Sequence, residues 1–183
     1  MKVYLASRSP RRQQLLRQIG VNFETVDIEI DEHWHNHEVP HQYVQRMALE
    51  KARAAKQKLP DKSGIIIAAD TSVVLDDQVL GKALSKSDVT LMLQKLSGRK
   101  HTVYTAVAIV SENSENVSLN TSYVSFKVLS GQDIGDYADS EEPLGKAGGY
   151  AIQGKAAVFI EKLEGSYSGV MGLPLYETKE MLK

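Results

Sequence analysis

The sequence predicts an α/β fold on a mixed sheet. Short apolar segments of period two alternate with amphipathic segments of period 3.6, as in a sheet covered by helices. One apolar run, residues 64–69, is continuous and reads as a strand buried on both faces. From residue 101 onward the strand patterns are joined by short turns instead of helices, which requires antiparallel neighbours beside the parallel ones.

Residues 3–6 form the first strand. Ser9 stands where an N-cap belongs and Pro10 where the first helical residue belongs. Leu15, Leu16 and Ile19 then share one helical face, and Gly20 is placed to end the helix. Val26, Ile28 and Ile30 alternate with Asp27, Glu29 and Asp31, predicting a strand with an acidic end. Residues 33–41 are a polar, His-rich loop. A helix covers about residues 42–58 and stops at Pro60. Segments 73–75 and 79–80 flank Asp76-Asp77-Gln78 as a hairpin. Ser87 caps a helix in which Val89, Met92, Leu93 and Leu96 recur at helical spacing, with Gly98 ending it. Residues 101–110 and 117–128 are long strands around the polar loop 111–116. Residues 130–140 read as a helix, 142–154 as a Gly-rich loop, 157–163 as a strand and 174–183 as a closing helix. No repeat, low-complexity tract or linker divides the chain, so residues 1–183 are read as one domain.

Bulk properties exclude several functions. With 42% hydrophobic and 25% charged residues among 183, the chain is an ordinary soluble globular protein. A net charge of −1 argues against a general nucleic-acid or membrane-surface binder, which needs a broad positive field. Without cysteine there is no disulfide, thiol nucleophile or thiolate metal site, which suits a reducing cytoplasm. Residues 1–6 are faintly like a signal sequence, but Ser7-Arg8 interrupt it, and no apolar run approaches membrane length.

The segment Ser7-Arg8-Ser9-Pro10-Arg11-Arg12 joins a strand to a helix as a phosphate cradle does. A first helical turn offers unpaired N–H groups and partial positive charge. Arg11 and Arg12 there oppose the helix dipole, at a cost of about 0.3–1 kcal/mol each when exposed, which a bound polyanion would reverse. A solvated basic helix end is the alternative. Asp70 follows the buried run, where a carboxylate is costly unless it is paired or holds a cation. Lys51 interrupts the apolar stripe Val44, Met47, Ala48 and Ala55; it either snorkels outward or reaches an anion in a cleft. Asp31-Glu32, taken with Asp70, offers the oxygen ligands that Mg²⁺ or Mn²⁺ would need beside a phosphate. Lys82, after Gly81, adds a cation beyond a strand end. His33, His35, His37 and His41 suggest a transition-metal site, but with Trp34, Asn36 and Pro40 the stretch reads instead as a polar loop. Gly148-Gly149 and Gly154 fit no Rossmann or Walker pattern; Gln153 beside them could read an amide-like base edge.

Together these segments resemble the Maf family of nucleoside triphosphate pyrophosphatases over essentially the whole chain. The matching segments begin with Leu5-Ala6-Ser7-Arg8-Ser9-Pro10-Arg11-Arg12, Asp31-Glu32, Glu50-Lys51-Ala52, Ala69-Asp70-Thr71 and Gly81-Lys82. They continue through Leu96-Ser97-Gly98, Pro143-Leu144-Gly145-Lys146-Ala147-Gly148, Ile152-Gln153-Gly154 and Gly172-Leu173-Pro174. Their order and spacing make the resemblance specific. It implies a two-lobed α/β fold like that of the inosine triphosphate pyrophosphatases, with the active-site cleft between lobes and often a homodimer. It also implies cleavage of a nucleoside triphosphate to monophosphate and pyrophosphate with a divalent metal. Within the family, a group acting on dTTP and UTP carries Thr after the catalytic Asp and Ile-Gln-Gly in the later loop. A group associated with 7-methyl-GTP carries Gln and Glu there, with Trp in the N-terminal motif. Thr71, Gln153 and Arg11 place this chain nearer the first.

The implied mechanism is metal-assisted attack of water on the α-phosphorus. Glu32 and Asp70 hold the metal, and Asp70 resembles the family's proton acceptor. The metal would also acidify the water, because an aspartate's ordinary pKa of about 3.9 is poorly matched to neutral pH. Lys51, Lys82 and Arg12 neutralise the phosphates, and Arg11, Ser7, Ser9 and Thr71 complete the substrate site. The Gln153 amide can pair with the O4/N3–H edge of uracil or thymine. Two rival readings remain: a nucleotide-binding regulator of septum formation or cell division in which turnover is secondary, and a phosphotransferase, which lacks a Walker sequence.

Overall fold

The computed structural model describes residues 2–35, 37–59 and 63–183. Among the described residues, seven strands form one mixed sheet. β1 (Val3–Leu5) lies between β2 (Glu24–Thr25) and β3 (Ile65–Leu75), parallel to both. β3 then pairs antiparallel with β4 (Gln78–Leu80) and with β5 (Lys100–Val110). The antiparallel run continues through β6 (Glu115–Phe126) to β7 (Ile160–Glu164). The expected combination of parallel and antiparallel pairing is present. Asp76 and Asp77 make the β3–β4 turn with φ of 49° and 62°, the left-handed geometry that two-residue hairpins favour.

Alternation along β3 divides the core. Ile66 and Ala68 pack on α2 (Pro40–Lys58) with Tyr4, Ala6, Ala106, Ala108, Val44, Ala48, Ala52 and Ala55. Ile67 and Ala69 face the opposite layer, which contains Leu15, Leu16, Leu93, Leu96, Val107 and Phe126. That layer includes α1 (Pro10–Gln18), α3 (Lys86–Leu96), α4 (Gly131–Asp139) and α5 (Tyr167–Met171); the last helix, α6 (Leu175–Met181), follows Pro174. Among the described residues, no helix is long and apolar enough to cross a membrane.

The structure corrects three local expectations and adds one helix. Residues 26–30 form no ladder, because β1 ends at Leu5 and leaves them no strand to pair with; only Val26 N–H reaches the Leu5 carbonyl, at 3.0 Å. Their alternation survives in exposure, with Asp27 and Glu29 outward. The cap of α3 is Ser85, not Ser87: Asp88 lies three residues beyond Ser85 and completes a capping box. The strand expected over 157–163 starts only at Ile160, because Lys155–Phe159 form a 3₁₀ turn that buries Ala156 and Phe159 on one side. α5 was not anticipated; Ser166 caps it by accepting from Gly169 N–H. Pro60, the expected stop of α2, lies outside the described residues.

Candidate active site

β3 outlasts its parallel neighbour β1, and that places the site. Leu5 pairs with Ile67, so Asp70 lies just past the end of β1, in mid-strand and not at a strand end as the sequence suggested. Period two sends Asp70 toward α2, on the side of Ile66 and Ala68. Lys51 meets it there, its Nζ donating to Asp70 Oδ1 at 2.6 Å and lying 2.7 Å from Glu32 Oε1. Lys82 Nζ donates to the other Glu32 oxygen at 3.0 Å. Lys51 is only 8% exposed, which resolves its alternatives in favour of an anion reached inside a cleft. Burial pushes the Glu32 carboxyl up, but the hydrogen bonds and charges of Lys51 and Lys82 outweigh it and hold the pKa at about 2. Of the acidic pair only Glu32 lines the cleft; exposed Asp31 accepts from His33 N–H at 3.0 Å.

The opposite wall comes from α1 and the α5 turn. Arg12 donates through Nε to the Gly172 carbonyl at 2.7 Å and through Nη2 to Thr71 Oγ1 at 3.3 Å. Gly172 holds φ at 120°, a conformation that a side chain would strain, and so presents its carbonyl to Arg12. The Thr71 and Thr105 hydroxyls lie 3.1 Å apart, and Thr105 donates to the Gly169 carbonyl at 2.8 Å. Ser9 occupies the N-cap of α1, yet its hydroxyl caps no backbone group, and its own N–H donates to Ser7 Oγ at 3.1 Å. Neither a side-chain cap nor an acidic residue serves the first turn of α1, whereas α3 and α4 both carry capping boxes. Arg8 differs from its neighbours: a two-pronged contact with Asp27 and a bond to Glu29 at 3.1 Å already neutralise it.

These groups line one cleft of about 620 Å³, within the usual range for small-ligand sites. Ser7, Ser9, Arg11, Arg12, Glu32, Lys51, Asp70, Thr71, Lys82 and Gln153 all border it. The structure adds Lys146, to which the sequence gave no role. An isolated bridge between Lys82 and Ala147 brings the two lysine-bearing segments side by side. Burial lowers the pKa of both Arg11 and Lys146, and the charge of Arg11 lowers that of Lys146 further. Among the described residues no carboxylate lies within ion-pair distance of Arg11, Arg12 or Lys146. Leaving aside Arg8, which is already paired with Asp27 and Glu29, and counting Lys51 and Lys82, five cations face two carboxylates. Such an imbalance in a partly desolvated cleft is relieved by a polyanion. Tyr150, Ile152, Val73 and Val103 supply an apolar wall beside it.

Glu32 and Asp70 converge on one point, now held by Lys51 Nζ. Two carboxylates suit Mg²⁺ or Mn²⁺, which complete their shells with water and phosphate oxygens. Among the described residues no group of three or more His, Asp or Glu is arranged for a metal, the His-rich loop included. That loop is instead stapled to α2: Trp34 stacks on Tyr43 with centroids 4.5 Å apart, and Tyr43 Oη donates to the Glu32 carbonyl at 3.0 Å. Arg46 donates to both Glu38 oxygens and to the His33 carbonyl.

A dTTP/UTP pyrophosphatase of Methylobacillus flagellatus is 46% identical over 182 residues, covering 100% of this chain and 92% of that protein. One from Xanthomonas euvesicatoria pv. vesicatoria is 49% identical over 183 residues, covering 98% and 96%. Among solved structures, the Staphylococcus aureus Ham1 protein shares the fold at a TM-score of 0.50 and 14% identity, over 69% of this chain and 72% of that one. The family model described as Maf-like protein matches residues 2–183, and the chain belongs to that family.

Proposed function

We propose that this chain is a nucleoside triphosphate pyrophosphatase that hydrolyses dTTP and UTP to the monophosphate and pyrophosphate, acting as one catalytic domain. The observation that carries the reading is the cleft itself, where Glu32 and Asp70 bracket Lys51 while Arg11, Arg12 and Lys146 face them without counter-ions. The names of the two bacterial relatives support the substrate assignment.

Attack on the α-phosphorus needs a deprotonated water and a stabilised leaving group. Asp70 accepts the water's proton, with Lys51 fixing its orientation through the 2.6 Å bond. Breaking the α–β bridging P–O bond moves negative charge onto the departing pyrophosphate. Arg11, Arg12, Lys82 and Lys146, with the uncapped N–H groups of α1, receive that charge. Glu32 and Asp70 would hold a divalent cation, which when bound polarises the phosphate oxygens and acidifies water. Gln153, which lines the cleft, offers one donor and one acceptor to the O4/N3–H edge of uracil or thymine. The proposed homodimer follows from the family resemblance, and light scattering checks it; the cysteine-free sequence suits the proposed cytoplasmic residence.

A pyrophosphate-release assay across the common triphosphates, with and without Mg²⁺ or Mn²⁺, tests the reading. Metal-dependent release from UTP and dTTP, well above that from purine nucleotides, is expected. Stoichiometric binding without release would instead make the protein a regulator, and transfer to an acceptor other than water a phosphotransferase.

A further inference from the structure

Gln153 must be held in place by something, because among the described residues its amide makes no hydrogen bond to the protein. It sits in a β-turn closed by Gly154 N–H donating to the Ala151 carbonyl at 3.0 Å. Both ends of that turn are fastened to one pair of side chains. Ala151 N–H donates to Tyr137 Oη at 3.1 Å, and Lys155 N–H donates to the Glu142 carboxylate at 3.0 and 3.1 Å. Tyr137 Oη closes the clasp by donating to Glu142 Oε1 at 2.9 Å. Gly154 is required by proximity: a Cβ there would fall inside the Glu142 carboxylate. Tyr137 is buried in the apolar layer, edge-on to Phe159 with centroids 5.3 Å apart, so the clasp is anchored in the core.

We propose that Glu142, with Tyr137, is a positioning residue for nucleobase selection. It locks the 151–154 turn so that the Gln153 amide faces the cleft in one orientation. The inference rests on reading the cleft as a pyrimidine triphosphate site. Neither Tyr137 nor Glu142 lines the cleft, so their loss acts on base discrimination and not on the chemical step.

The test combines steady-state kinetics with amide hydrogen exchange of the nucleotide-free protein. Glu142→Ala should lower the ratio of kcat/KM for UTP over CTP about tenfold through KM, with kcat within about twofold. Glu142→Gln, which still offers an oxygen to Lys155 N–H, should keep the ratio within about twofold. Gly154→Ala should reproduce the Glu142→Ala phenotype by displacing the carboxylate, and should add nothing in a Glu142→Ala background. Because truncating Glu142 could compromise folding, Tyr137→Phe provides a gentler variant: it should speed exchange at Ala151 and lower the ratio severalfold. An unchanged ratio in folded Glu142→Ala or in Tyr137→Phe overturns the proposal, as does a uniform loss of kcat on every substrate. If the wild-type enzyme cleaves neither UTP nor dTTP, the functional reading fails instead, and exchange at Ala151 and Lys155 still decides whether the clasp exists.

Discussion

Lys51→Met isolates the electrostatic logic of the cleft. Lys51 is nearly buried and lies 2.6 and 2.7 Å from two carboxylates. Methionine keeps the stem's volume on the apolar face of α2 and removes only the charge. Breaking a buried pair from one side costs about 3–5 kcal/mol, because the remaining charge is left uncompensated. Here the lower end applies: the Glu32 side chain is 39% exposed and retains Lys82 at 3.0 Å. About 3 kcal/mol at pH 7 should therefore be lost, a large part of the 5–15 kcal/mol that holds a typical domain together. The deficit should shrink at pH 5, since neighbouring like charges raise carboxyl pKa values and protonation removes the repulsion. Adding Asp70→Asn should recover most of the stability while leaving turnover abolished. Urea unfolding at both pH values reads the stability, and pyrophosphate release reads the activity. A single variant within about 0.5 kcal/mol of wild type at pH 7 would refute the argument, as would an equal deficit at pH 5.

Three further outcomes are expected. Asp70→Asn should fold, because Lys51 keeps Glu32 as a partner, yet kcat should fall by about 10²–10⁴; near-normal turnover would remove Asp70 from the role of base. Gln153→Glu loses the donor that O4 requires and adds a negative charge, so kcat/KM for UTP should fall about tenfold or more with little change in melting temperature. Unchanged selectivity would end the assignment of Gln153. Burial lowers the pKa of His101 to about 4, so the folded state keeps it neutral where the unfolded chain binds a proton. Stability should be full above the unfolded value near 6.5 and decline by up to about 3 kcal/mol as pH drops toward 4. Urea midpoints at pH 7.5, 6 and 5 should show that slope, and His101→Gln should flatten it between pH 6.5 and 5.

Residue types and their order carried most of the site. A lysine in an alanine-rich stripe and an aspartate ending an apolar run are both anomalies of burial, and burial is what periodicity reports. Their meeting could not be read, since it depends on β3 running past β1 and on α2 crossing the sheet at the height of Asp70. Lys146 escaped for a related reason. Its significance comes from having no carboxylate within ion-pair distance among the described residues, and a sequence lists neighbours along the chain but not across it. The acidic segment 26–31 misled because alternation records which side faces water, and an edge segment can alternate without any strand to pair with. The 3₁₀ turn before β7 was hidden similarly: Ala156 and Phe159, three apart, satisfy a strand's apolar content as well as a tight helix's spacing.

The consecutive pair Asp70-Thr71 explains why one cleft can gather groups from both sides of a sheet. Neighbouring strand residues point to opposite faces, so Asp70 meets Lys51 on the α2 side while Thr71 meets Arg12 and Thr105 on the other. In the middle of a continuous sheet these two environments would be sealed from each other. Here β1 ends at Leu5, and the chain turns through Ser7 into α1 beside the exposed flank of β3, so both faces open into one space. The basic first turn of α1 therefore stands over the strand that carries the proposed base. A slip of one residue in the β1–β3 register would exchange the two side chains and turn Asp70 toward the apolar layer, away from Lys51. The run 65–69 is apolar on both faces and tolerates either register, so the polar pair Asp70-Thr71, with Lys51 on one side and Arg12 on the other, fixes the register and thereby the chemistry.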